Sequence, residues 1–126
     1  MTSTRLGAVA LALALAGHAL AHAPTPASML GVLNASEART ALGVERAERD
    51  RTNPRVLVVW VGPRWFDLEG ADRLLQARCW RDDWRRAVPQ GVVAVLDTRS
   101  DAPVIGFGPR GTVFLRDASR ATGRAE

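Results

Sequence analysis

Several side chains with useful chemistry follow two apolar segments, at the points where predicted strands end. After residues 55–61 and residues 92–96 the chain places Arg64, Trp65, Asp67, Asp97, Arg99 and Asp101. Ligands of an open parallel sheet bind outside the carboxyl ends of its strands. At such an edge the arginines can pair with an anion, Trp65 can offer a flat apolar surface, and the aspartates can coordinate a hard cation. The competing interpretation is structural, with the aspartates capping a helix and forming turns while the arginines stay solvated.

A cluster of tryptophan and arginine is the second candidate. Trp84 stands among Arg81, Arg85 and Arg86, and the chain has four Trp but no Tyr. Trp and Arg are enriched at protein interfaces, where they carry much of the binding energy. The cluster therefore favours a protein-binding surface, unless Trp84 packs beneath the helix that carries it.

Cys79 is the only cysteine of the chain. A single cysteine excludes an internal disulfide and a metal site built from several thiolates. Its side chain is then either a small buried apolar group or an unpaired thiol that can link the chain to a partner protein.

Groups for acid–base and nucleophilic catalysis are scarce. The chain contains no Lys and no Tyr, and its histidines, His18 and His22, lie near the amino terminus. A Ser-His-Asp or Cys-His arrangement would need His22 to fold back onto the domain. We therefore predict no catalytic residue, no cofactor and no dedicated set of metal ligands.

The first residues have the order of a secretory signal peptide. Arg5 supplies a positive charge, residues 6–16 are apolar, and residues 19–21 (ALA) provide the small side chains that signal peptidase reads. The apolar run is about half the ~20 residues that a membrane-spanning helix needs. We therefore predict a signal peptide over residues 1–21, no transmembrane segment after its removal, and a periplasmic or secreted protein.

The charge of the chain is moderate and evenly distributed. Its formal net charge is +4 at pH 7, and basic residues are interspersed with acidic ones. Such a charge keeps a protein soluble without forming the concentrated basic surface that nucleic-acid binding requires. The expected partner is therefore another protein of the cell envelope rather than a nucleic acid.

The rest of the chain predicts a single α/β domain over residues 34–116, followed by a polar tail over residues 117–126. Residues 22–33 contain two prolines without a repeating apolar period, and we expect them to form an extended leader. An amphipathic helix is expected to begin at Asn34, because Glu37 stands at the spacing of a capping box. Opposite charges four positions apart would extend this helix to Arg49.

Two strands and a helical segment form the centre of the predicted domain. Residues 55–61 and 92–96 are almost continuously apolar, which is typical of strands covered on both faces. The helical segment between them, residues 67–88, makes them parallel neighbours in a right-handed crossover. Residues 104–107 and 112–116 flank a Gly-Pro-Arg-Gly turn and predict a β-hairpin. The fold class is therefore α/β, with a small, mostly parallel sheet and a carboxyl-terminal hairpin.

The helical segment has two apolar faces. At about 100° per residue, Leu75 and Cys79 lie on one face, while Trp80 and Trp84 lie on nearly the opposite face. One straight helix cannot bury both faces against the same sheet. We therefore expect a break near Arg81, with Asp82 or Asp83 capping a second short helix.

Two segments resemble a thioredoxin-like domain. Residues 60–65 (WVGPRW) are similar to the family's Trp-rich approach to its active-site helix, and residues 107–115 (FGPRGTVFL) are similar to the segment entering its final hairpin. The resemblance covers residues 55–116. Phe66 and Glu69 stand where the redox cysteines would fall, and the family's cis-proline and closing helix are missing. The resemblance implies a version of the scaffold without the CxxC motif, which acts by binding rather than by dithiol chemistry.

These observations favour a small exported binding or adaptor protein for an envelope assembly over an enzyme. One alternative is a metal- or anion-binding protein or enzyme that uses the strand-end carboxylates Asp67, Asp97 and Asp101. Metal-dependent thermal stabilisation would favour it. The other alternative is a thiol-linked partner protein that uses Cys79, and burial of that side chain would weaken it.

Overall fold

The structure, a computed structural model, describes residues 23–116. Its elements in chain order are α1 (Pro26–Leu33), α2 (Ser36–Leu42), β1 (Val44–Arg49), β2 (Val56–Val61), α3 (Pro63–Phe66), α4 (Gly70–Ala87), β3 (Val92–Asp97), β4 (Ile105–Phe107) and β5 (Val113–Leu115). The predicted signal peptide, residues 1–21, and the predicted polar tail, residues 117–126, lie outside the described residues. No helix within residues 23–116 combines the length and apolar character needed to cross a membrane.

Three strands form a mixed sheet in the order β1-β2-β3. β2 and β3 are parallel and follow one another through α4, which confirms the predicted pairing of the two apolar segments. β1 runs antiparallel to β2, so the prediction of a mostly parallel sheet is wrong. The extra strand is formed by Val44–Arg49, for which the charge spacing predicts a helix.

β4 and β5 form the predicted carboxyl-terminal hairpin. A bridge between Leu96 and Pro103 connects its approach to β3, and the Val104 N–H donates to the Val95 carbonyl at 2.9 Å. The segment that leads into the hairpin therefore lies alongside β3, at the edge of the three-stranded sheet.

The predicted extended leader is helical over Pro26–Leu33, which corrects that expectation. Thr25 caps α1: its hydroxyl accepts from the Ser28 N–H at 3.0 Å, and the Ser28 hydroxyl accepts from the Thr25 N–H at 2.9 Å. Proline at the first helical position is pre-set for this geometry. Met29 and Leu33 are buried in the same core as the sheet, so the folded domain includes residues before Asn34.

The helix predicted from Asn34 to Arg49 is replaced by a shorter helix and a strand. Asn34 is the carboxyl-terminal cap of α1 and does not cap α2, whose cap position is held by Ala35 without a side-chain hydrogen bond. α2 ends at Leu42 and is capped by Gly43, whose φ of 76° is left-handed and suits glycine. The chain then pairs with β2, and this pairing overrides the weak helical preference of residues 44–49.

α4 is continuous from Gly70 to Ala87, so the predicted break near Arg81 is wrong. The helix buries one stripe of side chains, comprising Gln76, Ala77, Trp80, Asp83 and Trp84. Leu75, on the other predicted face, is 39% exposed. The conflict between two apolar faces is resolved because only the tryptophan face enters the core. The helix ends just before Pro89, as expected.

The core forms one cluster of buried apolar side chains that extends from α1 to β5. In β2, alternate residues Leu57, Val59 and Val61 are completely buried, while the intervening ones are half-buried. The prediction that β2 is covered on both faces is therefore only partly correct. The less covered face carries Trp60, the residue on which the candidate site is centred.

Candidate functional site

The turn after β3 brings three of the predicted site residues together. The Asp97 carbonyl accepts from the Asp101 N–H at 2.7 Å, and its carboxylate accepts from the Arg99 N–H at 3.0 Å. Asp97 is buried, and the Arg99 side chain lies 3.6 Å from its carboxylate. These contacts give Asp97 the structural turn role that competed with ligand binding, whereas the carboxylate of Asp101 remains at the surface.

Asp101 is connected to β2 through Trp60. The indole Nε1–H of Trp60 donates to the Asp101 carboxylate at 3.1 Å. Asp101 has a φ of 57°, a left-handed backbone conformation that aspartate tolerates better than most residues. The turn therefore holds a carboxylate against the edge of an indole ring at the carboxyl ends of β2 and β3.

A cleft of about 560 Å³ opens at this edge of the sheet. Its lining residues come from α2, β1, β2 and the turn after β3, and they are Arg39, Glu45, Arg46, Trp60, Thr98 and Asp101. The position agrees with the rule that ligands of parallel strands bind outside their carboxyl ends. The volume lies within the ~300–1,000 Å³ of small-molecule sites.

A β-bulge at the start of β1 positions one side of the cleft. Val44 pairs with Val61 and Arg46 pairs with Trp60, so Glu45 is the extra residue between two ladder positions. Bulges re-aim side chains and are over-represented next to active sites. Here the bulge sets Arg46 directly across from Trp60, and its guanidinium carbon lies 3.8 Å from the centroid of that ring.

The other polar groups of the cleft are also held by neutral partners. The Arg39 guanidinium donates to the Glu45 carbonyl at 3.0 Å. The Thr98 hydroxyl donates to the Val61 carbonyl at 3.0 Å. The Glu45 side chain lies against Gly62, where a Cβ would overlap its carboxylate. Glycine at this position therefore gives the Glu45 side chain its space.

The charged side chains of the cleft do not form ion pairs with one another. Among residues 23–116, no ion pair joins Arg39 or Arg46 to Glu45 or Asp101. Each charge is instead positioned by a neutral group: an indole ring, an indole N–H, a backbone carbonyl or the space above a glycine. The arrangement can therefore offer both positive and negative groups to a bound molecule.

The site residues predicted after β2 are not part of this cleft. Arg64 and Asp67 are exposed on and just after α3, and Asp67 is the carboxyl-terminal cap of that helix rather than the amino-terminal cap of the next one. Trp65 is completely buried and stacks on Trp80, with ring centroids 5.3 Å apart. Trp65 therefore belongs to the core and cannot offer a ligand-binding face, which corrects that prediction.

The predicted surface of Trp84 and Arg85 does not form as expected. Trp84 is completely buried, and its indole N–H donates to the Arg55 carbonyl at 2.8 Å. Arg85 is the next residue of α4 and is exposed. Because the ring of Trp84 is inside the core, the helix lacks the aromatic anchor that an interface of this kind needs.

The arrangement of residues 23–116 gives little support to a metal site built from the strand-end carboxylates or to a reactive thiol at Cys79. Within residues 23–116, no group of three His, Cys, Asp or Glu side chains is placed to hold a metal ion. Asp97 and Asp101 share one turn, but Asp67 does not join them in such a group. Cys79 is half-buried, and burial together with the carboxylates of Asp83 and Asp82 raises the pKa of its thiol. A raised pKa lowers the thiolate fraction and so the reactivity.

Most of the cleft was missed from the sequence. The sequence alone predicts one helix for Arg39, Glu45 and Arg46. Arg39 does lie in α2, but only the bulged strand β1 brings Glu45 and Arg46 to the edge of β2. One usable signal was Trp60, a large aromatic residue near the end of an otherwise aliphatic strand.

Comparison of the chain with protein-family models, curated proteins and solved structures yields no match.

Proposed function

We propose that this chain is a small exported binding protein whose recognition site is the cleft around Trp60. The observation that carries the proposal is the set of charged side chains that neutral groups hold in place without ion pairs. Polar groups arranged in this way need little reorganisation when a ligand binds, which favours binding over a purely structural role.

The proposal keeps the expectations that come from the sequence. Residues 1–21 support export to the periplasm, where an adaptor for an envelope assembly would act. The resemblance to a thioredoxin-like domain without CxxC agrees with a role in binding, although fold alone does not assign function.

Export can be tested by mass. The chain is expressed with a carboxyl-terminal tag, recovered from the periplasm with its thiols alkylated, and measured intact without reduction. A mass equal to that of a chain that begins at His22 and carries one alkyl group supports export and a non-covalent role. A full-length mass in the cytoplasm contradicts export, and a disulfide-linked mass would favour the alternative role of Cys79.

Binding can be tested through the indole N–H signals in a nitrogen-15 NMR spectrum. The chain has four Trp, and Trp60→Phe assigns the signal of the cleft. Envelope extract is divided into a small-molecule fraction and a protein fraction, and each is added to the labelled protein. A selective shift of the Trp60 signal supports binding at the cleft, and the fraction that causes it separates a ligand carrier from an adaptor. No shift with either fraction would contradict the proposal.

A further inference from the structure

The charges that line the cleft are balanced in sign. Arg39 and Arg46 bring two guanidinium groups, and Glu45 and Asp101 bring two carboxylates. A ligand with a single sign of charge would be attracted by one pair and repelled by the other. A molecule that carries both an ammonium and a carboxylate can be attracted by both pairs at once.

The two guanidinium groups are available for a ligand's carboxylate. The guanidinium carbon of Arg46 lies 3.8 Å from the centroid of the Trp60 ring, and the guanidinium N–H groups of Arg46 have no hydrogen-bond acceptor among residues 23–116. Arg39 is fixed by one hydrogen bond to the Glu45 carbonyl. Arginine side chains with free N–H groups bind carboxylates by charge-assisted, often bidentate hydrogen bonds.

The two carboxylates are available for a ligand's ammonium group. Asp101 accepts the neutral indole N–H of Trp60, which orients the carboxylate without neutralising its charge. The Glu45 carboxylate has no hydrogen-bond or ion-pair partner among residues 23–116. A carboxylate has acceptor sites for several donors, so Asp101 can hold the indole and an ammonium group together.

From this arrangement we infer that the cleft binds a small zwitterion, either a free α-amino acid or a short peptide that carries both termini. The inference rests on the proposed binding function and specifies its ligand class. The ligand's carboxylate lies toward Arg39 and Arg46, and its ammonium lies toward Glu45 and Asp101. Trp60, which contacts both Arg46 and Asp101, reports occupancy through its indole N–H.

The test is a titration of the labelled protein at low ionic strength, because salt screens exposed charges. The probes are L-alanine, L-alanyl-L-alanine, N-acetyl-L-alanine, which lacks the ammonium, and L-alaninamide, which lacks the carboxylate. We expect saturable shifts of the Trp60 signal, with at least one zwitterion binding about tenfold or more tightly than either single-charge analogue. The comparison of alanine with dialanine separates free amino acids from peptides.

Two variants assign the ends of the ligand. Asp101→Asn keeps an oxygen that can accept the Trp60 N–H, so it removes the charge while sparing the contact; it should weaken the zwitterion and L-alaninamide but not N-acetyl-L-alanine. Arg46→Gln should weaken the zwitterion and N-acetyl-L-alanine but not L-alaninamide. Glu48→Gln and Arg51→Gln, at exposed positions outside the lining, are the matched controls and should bind like the parent protein.

The outcomes separate this inference from the proposed function. Equal binding of a zwitterion and one analogue would overturn the zwitterion in favour of a simple anion or cation site. Absence of any shift with all four probes, while an extract fraction still shifts Trp60, would overturn the ligand class and leave the binding function standing. If neither the four probes nor the extract fractions shift the Trp60 signal, the zwitterion inference and the proposed binding function are both overturned.

Discussion

The side-chain amide of Asn34 forms two hydrogen bonds with the backbone of Ala47, accepting from its N–H at 3.0 Å and donating to its carbonyl at 2.9 Å. The same amide nitrogen also donates to the Leu30 carbonyl at 2.9 Å, at the end of α1. Asn34 thus occupies the outer edge of β1 as a neighbouring strand would, and it joins the first helix to the sheet. Blocking an edge in this way protects it from pairing with other chains.

Substitution of Asn34 tests this connection. Asn34→Ala is expected to lower the free energy of unfolding by about 1–3 kcal/mol, because the backbone groups of Ala47 lose their partner in a partly buried position. Urea denaturation gives the value. Asn53→Ala removes an exposed, local hydrogen bond and should cost less, so an equal loss in both variants would contradict the role of Asn34.

Two glycines on either side of Asn34 should respond oppositely to alanine. Gly43 has a φ of 76°, and a Cβ there would overlap the backbone of Trp65, so Gly43→Ala should destabilise the protein by more than ~1 kcal/mol. Gly31 lies inside α1 with nothing within 4 Å of a new Cβ, so Gly31→Ala should stabilise by up to ~1 kcal/mol. Thermal or urea unfolding of both variants measures the contrast. A loss of stability in Gly31→Ala would contradict the helical assignment of the leader.

The two completely buried tryptophans differ in their hydrogen bonding. Trp84 donates to the Arg55 carbonyl, whereas the Trp65 indole N–H has no acceptor among residues 23–116. Trp84→Phe should therefore cost about 1–2 kcal/mol more than Trp65→Phe, because only the first substitution breaks a buried hydrogen bond. Urea denaturation of both variants measures the difference. The reverse order would contradict the unequal hydrogen bonding of the two indole N–H groups.

Asp83 should make stability depend on pH. Burial raises the pKa of its carboxyl above the ordinary value, while nearby Arg86 opposes this effect. The folded state therefore holds the proton more tightly than the unfolded state. Stability is lost as pH rises from the ordinary carboxyl pKa of about 3.9 through the raised pKa of the folded protein, and the loss persists at pH 7.

Asp83→Asn should remove that loss. Relative to the parent protein, the variant should gain stability at pH 7 and should gain less at about pH 3, where Asp83 is mostly protonated in both states. Urea denaturation at both pH values measures the difference, with Glu48→Gln as an exposed control. A gain of the same size at both pH values would show that packing, and not ionisation, is responsible.

Cys79 should react slowly in the folded protein. Burial is the largest cause of its raised pKa, followed by the negative charges of Asp83 and Asp82. At pH 8 we expect alkylation several-fold slower than in the urea-unfolded chain, and faster alkylation in Asp83→Asn than in the parent protein. Mass spectrometry of timed samples measures both rates. A folded-state rate equal to or above that of the unfolded chain would restore the thiol-linked alternative.

The amino-acid sequence by itself determined the elements with strong local patterns. The apolar runs of β2 and β3, the helix between them and the Gly-Pro-Arg-Gly turn of the hairpin carry signals that no distant contact has to supply. The same patterns located the carboxyl edge of the parallel strands, and with it Asp101, as the place to look for a site.

Tertiary structure alone decided the rest. Residues 44–49 have a charge pattern that suits a helix, yet pairing with β2 makes them a bulged strand. α4 has two apolar faces, and only packing against the sheet selects the face with Trp80 and Trp84. Arg46 meets Trp60 because of a register shift between strands, which is a long-range property. Local preferences amount to tenths of a kcal/mol per residue, about 0–0.7 for ordinary residues, so burial and strand pairing outweigh them.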